Sequence, residues 1–177
     1  VPPAPVGGRT QTAVAADGHN GSVKAAPQRV QRALDQLGLD IAVVHVAGSA
    51  RTAEDAAVAV NAEVGQIVKS LVFSAAGRPV LALVSGANRL DTSRLAEVAG
   101  GPVERADAAA VRDTTGYAIG GVPPVGHPSP IPVFCDRDLL RHDVVWAAAG
   151  TPHHVFPIAP EDLVRITGAT VAVIAAP

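Results

Sequence analysis

Lys69 stands in Val64-Gly-Gln-Ile-Val-Lys-Ser-Leu-Val-Phe73, a run that is otherwise mostly apolar. Arginine supplies twelve of the chain's fourteen basic residues, and the only other lysine is Lys24. A lysine inside a strand-like apolar run must reach water along its stem, meet an anion, or give up its charge. Burying its ammonium without a partner would cost roughly several kcal/mol. Two readings stay open on the residues alone. One is a snorkelling side chain at a sheet edge; the other is a fixed cation for a phosphate or a developing oxyanion.

Two further segments could complete such a site. Thr115-Gly-Tyr-Ala-Ile-Gly-Gly-Val-Pro-Pro-Val-Gly-His127 concentrates constrained positions. Gly120 and Gly121 can expose backbone N–H groups, while Pro123 and Pro124 stiffen the adjoining chain, giving a backbone wall for a small ligand. Ala147-Ala-Ala-Gly-Thr-Pro-His-His-Val155 offers small residues, Gly150 among them, that let a ligand approach the main chain; a plain strand-to-loop turn is the alternative. No G-x-S-x-G elbow, Walker A loop, strand-linked G-x-G-x-x-G or H-E-x-x-H is found. None of the six histidines forms an i, i+4 pair on a helix, and His153 and His154 diverge if extended, so no metal or cofactor site is expected.

These residues need elements to hold them. Val30, Leu34 and Leu37 predict a helix over residues 28–37, stopped by Gly38. Residues 41–46 read as a strand. Thr52 caps a helix that runs to about residue 62, with Glu54 and Asp55 in its first turn. Residues 69–74 and 79–84 read as a hairpin. Asp91 caps a helix to about residue 98, and residues 106–112 form a short one. Gly and Pro dominate 115–132, which reads as a shaped loop. Strands over 131–135, 143–148 and 171–175 and a helix over 160–166 complete an α+β fold with a mixed, largely antiparallel sheet. Residues 1–27 lack periodicity and read as a disordered tail, leaving 28–177 as a single domain. Trp146 is expected in the core.

At 177 residues and 48% apolar, the chain can bury a sizeable core, although only 3% is aromatic. A net charge of −2 implies no general polyanion-binding face, so a nucleic-acid partner would need a local basic patch; Arg51, Arg89 and Arg137 are candidates. Cys135, the single cysteine, excludes an intrachain disulfide and fits a reduced, cytoplasmic setting. No 18-residue apolar run suggests a membrane span, and no secretory signal is evident.

Taken in order, Gln66-Ile-Val-Lys-Ser-Leu-Val-Phe73, Thr115 to Pro124, Ala149-Gly-Thr-Pro152 and Ala159-Pro-Glu-Asp-Leu163 resemble the YbaK/ProX-type aminoacyl-tRNA editing family, over about residues 28–176. The resemblance implies a compact α/β fold with a barrel-like sheet flanked by helices. It also implies hydrolysis of the ester joining a wrong amino acid to the terminal adenosine of a tRNA. Lys69 then corresponds to the family's invariant lysine near the terminal phosphate and ribose, and Ser70 to its Thr or Ser. Gly120 and Gly121 belong to a G-x-x-x-P loop, closed by Pro124, along the aminoacyl group. Asp136 and Gly150 fall at pocket positions, with Thr151 and His153 beside them as substrate contacts. Lys69 and Gly121 are the catalytic candidates. The N–H groups of Gly121 or Gly150 would stabilise the oxyanion, and the neighbouring ribose hydroxyl would activate water.

The implied partners are the acceptor end of an aminoacyl-tRNA and an aminoacyl-tRNA synthetase. The chain departs from the cysteinyl-tRNA(Pro) deacylase branch at residues 148–153, where that branch resembles Ser-Gly-Gly-Lys-Arg-Gly, and at Val46, where it carries an aromatic. The leading expectation is a free-standing trans-editing deacylase. A non-catalytic module binding a tRNA end or nucleotide is the alternative.

Overall fold

A hairpin forms the centre of the sheet. β2 (Ile67–Ala75) and β3 (Arg78–Ser85) pair antiparallel from Val68↔Ser85 to Ala75↔Arg78. The two residues between them, Ala76 and Gly77, both have positive φ, 48° and 79°. That is the backbone twist a two-residue hairpin turn requires. The computed structural model describes residues 18–177 except Ser49, with side chains from Ala25 onward.

Around this hairpin the sheet has eight strands in the order β1-β7-β6-β2-β3-β5-β8, with β4 added to the far half of β2. The remaining strands are β1 (Val44–His45), β4 (Val103–Arg105), β5 (Val133–Asp136), β6 (Val145–Ala148), β7 (His154–Ile158) and β8 (Thr170–Ala172). The β2–β3, β2–β4, β6–β7 and β1–β7 pairs are antiparallel, whereas β2–β6, β3–β5 and β5–β8 are parallel. The mixed, largely antiparallel character expected from the sequence is therefore present.

Alternation along the strands builds two cores. One face carries Val68, Val72, Leu81, Leu83, Val133, Cys135 and Phe156. It packs on Val30 and Leu34 of α1 (Gly18–Gln36), on Tyr117, Val122 and Val125, and on Leu163 of α5 (Pro160–Thr167). The other face carries Phe73, Val80, Ala82 and Val84 against Phe134, Ile174 and Leu95 of α3 (Thr92–Ala99). Each fully buried aliphatic side chain contributes about 1.5–3 kcal/mol relative to exposure. A third, smaller cluster joins Ile67 to Ala56 and Ala57 of α2 (Ala53–Val60), with Trp146 partly buried against it.

Two capping expectations hold: Thr52 accepts from the N–H of Asp55, and Asp91 accepts from Ser93 and Arg94. Asp107, expected inside the helix over 106–112, instead stands before α4 (Ala108–Thr115) as its N-cap. Other details differ. α1 begins at Gly18, not at residue 28, and continues through Pro27. Proline reads as a boundary because it lacks an N–H, yet here it removes a single helical donor and the helix persists. The rest of the expected tail, residues 1–17, lies outside the described residues. β4 and β7 carry no clear sequence signal: β4 is Val-Glu-Arg, and β7 begins at His154 and contains Pro157. Pairing to β2 and β6 makes them strands. Among the described residues, no helix is long and apolar enough to cross a membrane.

Candidate active site

β2 changes partners along one edge, and the change leaves an opening. Its parallel ladder with β6 ends at Val68↔Ala147, and its antiparallel ladder with β4 begins at Phe73↔Arg105. Just before β4's register, the N–H of Ala106 donates to the Val72 carbonyl. Residues 69–71 therefore have β3 on one side and no strand on the other. A cavity of about 290 Å³ lies at this gap, bounded by β2, the start of α2, Ala106 and Val111, the 119–122 loop, Trp146, and the turn through Thr151 and Pro152.

Of the residues expected at the site, Lys69, Ser70, Gly120 and Thr151 line this cavity. Lys69 donates from Nζ to the backbone carbonyl of Asn88, and among the described residues it forms no ion pair. Burial pushes its pKa below the usual lysine value, and the charges of Glu54 and Asp136 oppose that shift. Lys69 is thus a partly desolvated cation bound to a neutral acceptor. The Ser70 Oγ is shielded from solvent and has no hydrogen-bond partner, an arrangement that costs free energy unless something else occupies the site.

The other expected residues lie behind the cavity wall. Gly121 is buried, and its N–H donates to the Ala118 carbonyl at 3.1 Å. The N–H of Gly150 donates to the Gly121 carbonyl at 2.9 Å. Both amides expected to hold an oxyanion are therefore engaged, that of Gly121 within its own loop and that of Gly150 across to the other. Pro124 is buried in the loop interior rather than in the wall. Arg29 holds that loop to α1: it donates to the Gly116 carbonyl at 2.8 Å and lies 4.5 Å over the Tyr117 ring.

Asp136 also stands apart from the cavity. It is 1% exposed and accepts from the Ser85 N–H, the Asn88 side-chain amide and the Asp138 N–H. His153 is exposed and donates from Nδ1 to the Gly48 carbonyl, tying down the loop after β1. Cys135 is fully buried with its thiol pushed up to about 12 by burial and by Asp136, so it carries no nucleophilic chemistry.

Two features escaped the sequence. Thr151 Oγ1 and His154 Nδ1 share a hydrogen bond of 2.7 Å, and the same hydroxyl accepts from the His153 N–H. Their i, i+3 spacing around a turn was the available signal. Burial and the neighbouring His45 and His153 lower the His154 pKa, favouring a neutral imidazole. The second is Arg105, which lines the cavity with Arg51; both are exposed and neither forms an ion pair among the described residues. Arg105 was missed because β4 was. Arg89 and Arg137 lie outside the wall.

This geometry is a mostly apolar chamber whose wall includes the shielded Ser70 hydroxyl and three basic residues, Arg51, Lys69 and Arg105. A family model described as an aminoacyl-tRNA editing domain matches residues 47–166, which include every one of those groups. The chain belongs to the aminoacyl-tRNA editing family. A candidate Cys-tRNA(Pro)/Cys-tRNA(Cys) deacylase of Enterococcus faecalis is 30% identical over 118 residues, covering 66% of this chain and 72% of that protein. A proline–tRNA ligase of Maridesulfovibrio salexigens is 34% identical over 98 residues, covering 55% of this chain but 17% of the ligase. Among solved structures, a candidate trans-editing enzyme for prolyl-tRNA synthetase is 50% identical with a TM-score of 0.83, covering 86% of this chain and 98% of that one. The editing fold expected from the ordered motifs is thus the fold of the chain's structural relatives.

Proposed function

We propose that this chain is a free-standing trans-editing hydrolase that deacylates mischarged aminoacyl-tRNA, with an editing domain that includes the whole of α1 and so begins before residue 28. What supports the reading is the meeting of Lys69, Ser70, Gly120 and Thr151 around one chamber whose rim also carries Arg51 and Arg105. The rim cations match the terminal phosphate of an acceptor end, and the apolar interior matches the aminoacyl group. At about 290 Å³ the chamber has room for an amino-acid side chain, and a size difference of one methylene there is worth about 10–200-fold in discrimination. The likeness to part of a proline–tRNA ligase makes a synthetase-associated tRNA the natural partner.

In this scheme water attacks the ester carbonyl, a tetrahedral oxyanion forms, and the ribose oxygen leaves with a proton. With the Gly121 and Gly150 amides engaged, the Ser70 hydroxyl and the open edge of β2 are the donors in reach of that oxyanion. A well-placed donor there is worth about 10²–10³ in rate. The substrate's own neighbouring ribose hydroxyl relays the proton, accepting one from the attacking water and passing its own to the leaving oxygen, and Lys69 anchors the acceptor end.

A panel of mischarged tRNAs incubated with the protein tests the proposal. Ester loss for one or more of them, abolished in Lys69→Ala, is expected. Lys69→Arg separates a bare charge requirement, which it would satisfy, from a compact point-charge fit, which it would not. Binding across the panel without turnover would instead establish a non-catalytic module.

A further inference from the structure

Lys69 sits close to acidic groups without pairing with any of them. The charges of Glu54 and Asp136 are felt at its ammonium, yet no carboxylate lies within ion-pair distance among the described residues. Asn88 stands between. Its side-chain amide donates to Asp136 Oδ2 and to Asp138 Oδ2, each at 2.8 Å, while its backbone carbonyl receives the Lys69 ammonium. The carboxylates are thus occupied by a neutral donor, and the cation by a neutral acceptor of the same residue.

The clamp is anchored well beyond Asn88. Asp136 also accepts from the Ser85 N–H at 3.2 Å, which fixes the end of β3, and its other oxygen accepts from the Asp138 N–H at 3.1 Å. Asp138 pairs with Arg141 at 3.2 Å, which offsets part of the local negative charge. The Asn88 N–H closes the turn by donating to the Ser85 carbonyl. The turn after β3 is therefore held at several points.

We propose that Asn88, clamped by Asp136 and Asp138, is a positioning residue that keeps Lys69 off the acidic pair and available to a substrate anion at the cavity. The inference rests on the deacylase reading for the identity of that anion, a tRNA phosphate, but not for the clamp itself. Asp136 thereby acquires a role different from substrate contact: it acts on Lys69 through Asn88. Without the amide, Asp136 and Asp138 would each lose one donor, and the flexible lysine would swing toward the oxygens left open. An ammonium paired with a carboxylate no longer attracts a phosphate.

Asn88→Ala tests this in the full chain. Because the chain has two lysines, [15N]lysine labelling gives a spectrum in which Lys69→Ala identifies the Lys69 signal. In wild type Lys69 should titrate below an ordinary lysine; in Asn88→Ala its titration should move upward as carboxylates take over. Deacylation should fall about ten- to a hundredfold, through KM more than kcat, the range expected for a misplaced binding group. Read as binding of the tRNA acceptor end rather than as turnover, Asn88→Ala should weaken the wild type and change nothing further in a Lys69→Ala background. An unchanged Lys69 titration in a folded Asn88→Ala protein overturns the proposal, as does an equal loss of binding with Lys69 already removed. If Asn88→Ala does not fold, Asp138→Asn, which removes one carboxylate of the clamp, must shift Lys69 or the proposal fails. A shifted Lys69 signal in a protein that hydrolyses no ester would uphold the clamp and remove the deacylase reading.

Discussion

Gly150 donates its N–H to the carbonyl of Gly121, and a β-carbon on Gly121 would lie 2.8 Å from the Gly150 carbonyl carbon and oxygen and from the Thr151 Cα. Two loops remote in sequence thus stand back to back with room for hydrogen only. The contact places Gly120 and Thr151 on the same wall of the chamber.

Gly121→Ala therefore meets backbone, which cannot rotate away. We expect a loss of about 1–3 kcal/mol of stability, the usual cost of overpacking, together with displacement of Thr151 and loss of activity. Gly120→Ala is a useful comparison. Its φ of +88° strains an alanine, but the nearest atom is the Pro152 Cγ at 4.0 Å. Urea melts of the two variants should show Gly121→Ala as the less stable; equal midpoints would contradict the packing described.

Ser70→Ala should separate stability from function. The wild-type hydroxyl is shielded without a partner, so its removal should leave the fold as stable or raise stability by up to ~1 kcal/mol. Substrate turnover should drop about 10²–10³-fold, the worth of a well-placed oxyanion donor. Thermal melts and initial rates on the same preparation check both halves. A destabilised variant with full activity would mean that Ser70 is structural.

Acid should weaken the fold through His154 and His127. Burial lowers both pKa values below 6.5; the neighbouring imidazoles lower His154 further, while for His127 the bond to the Pro123 carbonyl opposes the shift. The unfolded chain thus binds protons at a higher pH than the folded one. Stability is full above about 6.5 and declines as pH falls from there through the lowered folded values. Melting temperatures from pH 7.5 to 5 should trace that decline, and His127→Gln/His154→Gln should flatten it. An undiminished slope in the double variant would assign the acid sensitivity elsewhere.

Local chemistry was readable at several positions where a residue acts on its near neighbours. Thr52 and Asp91 cap helices through hydrogen bonds within three residues. The Ala76-Gly77 turn reflects local backbone preference in the same way. Lys69 was visible because an unpaired charge in an apolar run demands an explanation. Gly150 was recognised as special for a reason close to the true one, whereas Gly121, read as exposing its N–H, turns out to share that reason. Close backbone approach does require glycine there, but the approaching backbone is the protein's own and not a ligand's.

The sequence by itself determined the family, the central hairpin, the helix caps and four of the residues in the chamber wall, because those rest on ordered motifs and short-range physics. Tertiary structure decided where β2 exchanges β6 for β4 and so opens the chamber. It also decided that Arg105 joins the rim and that Asn88 bonds both Asp136 and Lys69. Each of these depends on long-range strand register or on a hydrogen bond chosen among several possible partners. Neither is encoded in spacing along the chain, since both arise when packing fixes which groups are left to satisfy one another.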